Sequence, residues 1–264
     1  MSQKCLKFPP ETPEQRLVVE VWFLFIMTVV VGFFGRYAAI DVTYTFIIGI
    51  CFAINLVIRF ALANEKGDWA FFTLGVIGGG GNDLISMING VYNYTSLTII
   101  PFLEGLMPLW MIFFWGQIFL LFRKIFNLAW FKGEEFKKDG MFLRGWVDFK
   151  LIFDIGLIFT LRFVIYTTYK LDFWIPSLYY AVGIGIRFLI FPPKKNELLI
   201  IVILPYAFIF EGLMVVFGLY VYQNTIFLEL PLWLMLWWIF LVPIFIKEIF
   251  DRVEYFLKQQ PRTS

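Results

Sequence analysis

Apolar residues along the chain come in repeated runs of about 20, each long enough to cross roughly 30 Å of hydrocarbon, with polar residues gathered between them. Hydropathy and helix breakers together predict eight membrane helices, over residues 17–36, 42–63, 68–90, 106–129, 149–168, 173–191, 197–221 and 230–250. The first follows Thr12-Pro13-Glu14-Gln15, where Thr suits the N-cap, Pro the first helical position and Gln the capping-box position. Its apolar run is too long for a removable signal peptide and no small-residue cleavage site follows, so it is expected to remain as a span. The fold class expected is all-α, a polytopic membrane helix bundle.

Lys and Arg then orient the helices. With both termini on the cytosolic side, 19 of the 22 basic residues fall on that side or in the tails, leaving Arg36, Arg162 and Lys170 towards the other face. The chain reads as a cytoplasmic N-tail (1–16), a first four-helix repeat (17–129), a charged cytoplasmic linker (130–148), a second four-helix repeat (149–250) and a cytoplasmic C-tail (251–264) of a cell-membrane protein.

The word repeat rests on matched residues. A shift of 128 places Ile58-Arg59-Phe60 on Ile186-Arg187-Phe188, Asp83 on Glu211, Gly90 on Gly218, Tyr92 on Tyr220 and Tyr94 on Tyr222. After a length change in one loop, a shift of 123 places Pro108-Leu109-Trp110 on Pro231-Leu232-Trp233, Trp115 on Trp238 and Lys124 on Lys247. An even number of spans per half makes the repeats parallel, related by an axis along the membrane normal.

Each half carries an acid in its third helix, Gly seven residues on, a Tyr-x-Tyr pair and a Pro-Leu-Trp opening the fourth helix. At 1.5 Å per residue the acid lies about 20 Å from the cytoplasmic edge, in the outer third of the bilayer, with the tyrosines expected to cap the helix at the outer interface. Before each acid stands a helix breaker: Gly78-Gly79-Gly80-Gly81 ahead of Asn82-Asp83, and Pro205 ahead of Glu211. Interruptions at matching heights in two halves point to a binding site, although glycines also let helices pack closely.

Composition narrows the chemistry. The chain is 60% apolar and 16% charged, against about half and a quarter in soluble domains. A net charge of +2 gives no footing for nucleic acid, so membrane lipids are the expected partners. There is no His, which removes His-box iron, axial haem ligation and most zinc sites; no cofactor or metal is expected. Cys5 and Cys51 lie too far apart in depth to pair. No phosphate loop or nucleophile elbow is present, and Asn93-Tyr94-Thr95 lies too near the membrane to count as a glycosylation sequon.

Ionisable groups within spans are costly and mark candidate sites. Asp83 and Glu211 are the candidate catalytic acids, and Asp154 is a third intramembrane carboxyl. Arg162 is placed near Glu211 and Arg36 near Asp83 as candidate partners, while Arg59 and Arg187 are expected to snorkel to headgroups. Glu104 and Glu229 suit helix N-termini. A carboxyl facing an apolar cavity is expected to stay protonated at neutral pH, and in a ring-lined pocket it could protonate an isoprenoid double bond. Tyr92, Tyr94, Tyr220, Tyr222, Trp110 and Trp233 are the candidate rings, with Asn82 and Arg162 completing the substrate-binding set. Interfacial belts and helix glue explain the same residues individually.

The run Glu211, Gly218, Tyr220, Tyr222, Pro231, Trp233 and Trp238 resembles the carotenoid-biosynthesis membrane family of the hydratase type. It is also similar to short four-helix bacterial membrane proteins whose third helix carries an acid seven residues before Gly. The longer Gly-rich segment that precedes Tyr-x-Tyr in the hydratase family is absent. The resemblance implies an enzyme acting on an isoprenoid or other apolar lipid. A small proton- or cation-coupled transporter and a non-catalytic scaffold remain alternatives; the few hydrophilic side chains in the inner halves of the helices, Asn55, Asp154 and Thr160, disfavour a continuous aqueous path.

Overall fold

The computed structural model describes residues 10–97, 107–133, 136–138, 140, 142–201, 204–226 and 229–259. Cys5 and Glu104 lie outside the described residues. Two compact units divide the chain, one comprising Met1–Ile88, Asn93–Ala129 and Phe217–Val221, the other Asn89–Tyr92, Trp130–Val216 and Tyr222–Ser264.

The first unit is built on four helices, α1 (Pro13–Ala38), α2 (Val42–Ala63), α3 (Asp68–Ile88) and α4 (Leu109–Phe126). α1 begins on a complete capping box, with Gln15 N–H donating to Thr12 Oγ1 and the Gln15 amide oxygen accepting from the Thr12 backbone. Asp41 caps α2 by accepting the Thr43 N–H at 2.8 Å, and that bond holds its carboxyl below the ordinary carboxylate range. α1 packs along α2, and α4 packs against α1, α2 and α3. Away from these contacts α1 exposes Trp22, Phe25, Ile26, Val29 and Phe33, an apolar surface suited to lipid.

Within α3 the glycine run forms a π-helical turn, Gly75–Gly80, between two α-helical stretches, Asp68–Leu74 and Gly81–Ile88. The helix is therefore widened there, not broken. Packing explains it: a Cβ at Gly79 would overlap the Trp115 ring, one at Gly75 would stand 2.5 Å from the Trp115 carbonyl oxygen, and Gly116 on α4 lies under the Phe72 ring. Small residues on both helices let α3 and α4 approach closely, the packing role of glycine in membrane bundles.

α3 ends at Ile88, short of the expected residue 90. Gly90 follows with φ +76°, and Gly218 takes φ +73°, a left-handed backbone open to glycine without a Cβ penalty. The Tyr-x-Tyr pairs that come next are strands, β1 (Tyr92–Tyr94) and β2 (Tyr220–Tyr222), of a two-stranded sheet. Strand alternation buries all four tyrosines and exposes Asn93 and Val221. The expected helix-capping, interface-facing tyrosines are thus corrected to inward-facing strand residues.

The second unit contains α5 (Phe149–Thr168), α6 (Trp174–Ile190), α7 (Lys195–Ile201), α8 (Leu204–Val216) and α9 (Leu232–Gln259). α6 packs against α5 and α9, and α5 and α7 also meet the π-helical turn Leu241–Ile246 of α9. Pro243 lies in that turn, where its missing N–H favours a widened ladder. α9 continues past residue 250, with Phe250 buried and Arg252 Nη2 donating to Glu248 Oε1 at 2.6 Å, so the stretch assigned to a tail is helical to Gln259. The charged linker is likewise folded: Phe142 bridges Val147, and the Trp146 ring lies 5.9 Å from Phe136 and 5.7 Å from Tyr255.

Among the described residues, five helices are long and apolar enough to span a bilayer: Pro13–Ala38, Val42–Ala63, Asp68–Ile88, Leu109–Phe126 and Leu232–Gln259. α5 has comparable length but carries Lys150, Asp154 and Arg162, and α6 is shorter at 17 residues. The predicted helix over 197–221 is described as α7 and α8, followed by β2. The chain is a mostly helical, integral membrane protein.

Candidate functional site

In the first unit, the glycine turn decides what Asp83 touches. With the Trp115 ring seated on Gly79, its indole Nε1 donates to Asp83 Oδ2 at 2.6 Å, and the Tyr94 hydroxyl donates to the same oxygen at 3.2 Å. Asp83 is buried, on α3 just beyond the π-helical turn. Tyr94 meets Tyr220 edge to face at 5.2 Å and Trp110 at 6.3 Å, and Trp110 stacks on Phe52 at 6.0 Å. The neighbouring Asn82 is half-buried, its carbonyl accepting the Ser86 hydroxyl at 2.7 Å. Tyr94, Trp110 and Tyr220 thus join Asp83 in one ring-lined carboxyl site, with Trp115 as an added donor.

In the second unit, the Tyr222 hydroxyl donates to Glu211 Oε1 at 2.9 Å. Glu211 is half-buried on α8. Tyr222 lies 4.9 Å from Tyr92 and meets Trp233 edge to face at 6.2 Å. Trp233 lies 6.0 Å from Tyr180, which in turn lies 6.0 Å from Trp237. The Arg162 guanidinium sits 4.2 Å from the Trp237 ring centroid, a desolvated cation–π contact. Tyr180 and Trp237 escaped the sequence reading, which followed residues shared by both halves; shifts of 128 and 123 pair them with Phe52 and Phe114.

Arginines near the other helix ends depart from expectation. Arg59 is fully buried and not snorkelling, with Nη2 2.8 Å from Glu20 Oε2 and Nη1 2.7 Å from Asp68 Oδ2. Arg123 also reaches Asp68, and Lys124 Nζ bridges Asp68 at 3.0 Å and Glu65 at 2.9 Å. Arg187 is buried as well, bonded to both carboxylate oxygens of Asp154 and to the Phe191 carbonyl. Carboxylates on neighbouring helices neutralise these arginines inside each unit, where the sequence reading had them reach headgroups. Arg36 is exposed and makes no ion pair among the described residues, so it does not partner Asp83.

The second unit also holds a half-open polar pocket of about 270 Å³, lined by residues including Asp148, Lys150, Glu197, Lys247, Glu248 and Arg252. Its charges pair with one another: Lys150 lies 3.1 Å from Glu248 and 3.4 Å from Glu197, and Arg252 lies 2.9 Å from Asp148. Burial opposes ionisation of Asp148, but the Leu151 N–H and Arg252 outweigh it and hold the carboxyl below its ordinary range.

Comparison with family models, curated proteins and solved structures finds no match for the chain.

Proposed function

We propose that the protein is a duplicated, eight-span membrane enzyme with both termini cytosolic, which uses a carboxylic acid in a ring-lined site to protonate an isoprenoid or other apolar lipid. The observation that carries this reading is a carboxyl that accepts a tyrosine hydroxyl 11 residues further along, Tyr94 on Asp83 and Tyr222 on Glu211.

Ring geometry supports the duplication. Tyr94 on Trp110 and Tyr222 on Trp233 meet at 6.3 and 6.2 Å, Phe52 on Trp110 and Tyr180 on Trp233 both at 6.0 Å, and Phe52 on Phe114 and Tyr180 on Trp237 at 5.6 and 6.0 Å. Every one of these pairs is related by the shifts of 128 and 123. Three contacts at matched positions favour a shared origin over independent packing. The carotenoid-biosynthesis likeness adds an apolar, unsaturated lipid as the substrate class.

An acid buried among aromatic rings suits proton delivery to an alkene, since the proton donor is kept from water and the rings face any cation formed. Lipid extraction and mass spectrometry of cells expressing wild type or D83N/E211Q test it. An apolar lipid species present with wild type and lost with the double variant is expected. Identical lipid profiles, with proton-coupled uptake lost in the variant, would overturn it in favour of transport.

A further inference from the structure

The charged cluster of the first unit and the polar pocket of the second are built on matched residues, with an acid exchanged for an amide at the centre. In the first unit the Asp68 carboxylate is the hub: Arg59, Arg123 and Lys124 all reach it, and it has no exposed surface. The shifts of 128 and 123 place Asp68 on Asn196, Arg123 on Ile246 and Lys124 on Lys247. Asp68 opens α3 and Asn196 stands in the first turn of α7, so the two hold matching places in their halves. Arg187, matched to Arg59, is bonded to Asp154 instead. The second unit therefore keeps the lysine and lacks the carboxylate that its counterpart binds.

Asn196 and Lys247 both line the half-open pocket of about 270 Å³. At about 30 Å³ per water that is room for about nine waters, more than a lone carboxylate fills. Among the described lining residues five are cationic, Lys137, Lys150, Lys194, Lys247 and Arg252, against four carboxylates, which leaves one positive charge in excess. Each carboxylate is already engaged: Glu197 by Lys150, Glu248 by Lys150 and Arg252, Asp148 by Arg252 and Asp251 by Lys247. Arg252 is buried, and its Nε has no hydrogen-bond acceptor among the described residues. Lys137, exposed at the pocket, makes no ion pair among them. The Lys247 ammonium is buried, whereas its partner Asp251, one turn on along α9, has a side chain 38% exposed. An i,i+4 pair with one partner in water contributes little, so the lysine gains from a further oxyanion in the pocket.

We propose that this pocket binds a phosphate group, carried by a lipid headgroup or free in the aqueous phase. The bound oxyanion stands beside Lys247 as Asp68 stands beside Lys124 in the first unit. Phosphate suits the lining because its several acceptor oxygens can meet ammonium groups arriving from different elements, Lys150 on α5 and Lys247 on α9, with the Asn196 amide as a further donor. It also cancels the excess charge, a gain that grows where water is partly excluded. Neither Asp83 nor Glu211 takes part, so the site stands apart from proton delivery to a lipid.

The test is isothermal titration of delipidated full-length protein, in neutral detergent, with inorganic phosphate, dioctanoyl phosphatidic acid and dioctanoylglycerol, which has the same chains without the phosphate. Saturable binding of phosphatidic acid is expected, and none of dioctanoylglycerol. Phosphatidic acid bound more tightly than inorganic phosphate supports a headgroup as the occupant, and equal affinities support the free anion. N196D returns a carboxylate to the place matched to Asp68, and should weaken binding of both at least about tenfold because a like charge then faces the anion. N196A removes the amide without adding charge and should keep most of the affinity. K137Q, at an exposed position that folding does not need, should weaken binding up to about fivefold, the worth of an exposed charge contact. Absence of saturable binding, equal binding of dioctanoylglycerol, or affinities unchanged in both N196D and K137Q would overturn the site. So would an equal loss in N196A and N196D. Specific binding in a protein whose expression leaves cell lipids unchanged would instead sink the catalytic reading and leave the phosphate site standing.

Discussion

Replacing Arg59 with Met gives the sharpest energetic prediction. The side chain is wholly inaccessible, and its guanidinium bridges Glu20 on α1 and Asp68 on α3 at 2.8 and 2.7 Å. Without it Asp68 keeps Lys124 at 3.0 Å and Arg123, but Glu20 has no other ion pair among the described residues. Breaking one partner of a buried pair costs about 3–5 kcal/mol, because the surviving charge stays desolvated. That is about two to nearly four powers of ten in the folded-to-unfolded ratio, at about 1.4 kcal/mol per tenfold. Removing the orphaned charge as well, in E20L/R59M, should recover most of the loss, since a well-packed apolar pair often replaces a buried ion pair at little cost. Equilibrium unfolding of the four proteins of this cycle by SDS titration in mixed micelles, followed by circular dichroism, gives the coupling directly. R59M within about 1 kcal/mol of wild type, the range of an exposed pair, would refute the buried-network argument. So would a double variant as unstable as R59M.

Glycine substitutions should divide by position: G79A, whose Cβ meets the Trp115 ring, is expected to lose about 1–3 kcal/mol through overpacking. G81A, with nothing within 4 Å, should be neutral or up to about 1 kcal/mol more stable, and thermal unfolding in detergent compares them. Y222F removes the phenolic donor that bonds Glu211 and should cost about 1 kcal/mol, whereas Y94F leaves Asp83 its Trp115 bond and should cost less by the same SDS titration. Asp148 caps α5 through the Leu151 N–H and meets Arg252, so D148A should lose about 1–2 kcal/mol at neutral pH, the cap supplying most because this pair is partly exposed. Because its folded carboxyl titrates below the unfolded value of 3.8, that contribution is full above about pH 4 and fades as pH falls through the folded value. The gap between wild type and D148A should therefore close on acidification, and a gap that widened would reverse the assignment.

Much of the candidate site was legible because Asp83 with Tyr94 and Glu211 with Tyr222 keep the same separation, a relation that composition cannot imitate. Hydropathy likewise located α2 to the residue and α1 within four residues at its start and two at its end, since their lipid-facing surfaces are largely apolar. Arg59 and Arg187 were misplaced for a definite reason: their partners Glu20 and Asp154 lie 39 and 33 residues earlier on other helices, and nothing local distinguishes a paired arginine from one that snorkels. β1 and β2 were hidden because three-residue strands carry too little period-2 pattern to stand out in aromatic-rich sequence. The π-helical turns follow from contacts with Trp115 and from Pro243, of which only the proline is visible in sequence.

The central claim is that the paired carboxyls Asp83 and Glu211 deliver a proton to a lipid. Membranes holding wild type or D83N/E211Q, incubated in deuterated water and extracted for mass spectrometry, test it most directly. The wild type should yield an apolar lipid that has gained non-exchangeable deuterium, and D83N/E211Q should not. Deuterium incorporation that persists in D83N/E211Q, or that fails in the wild type, would contradict the claim.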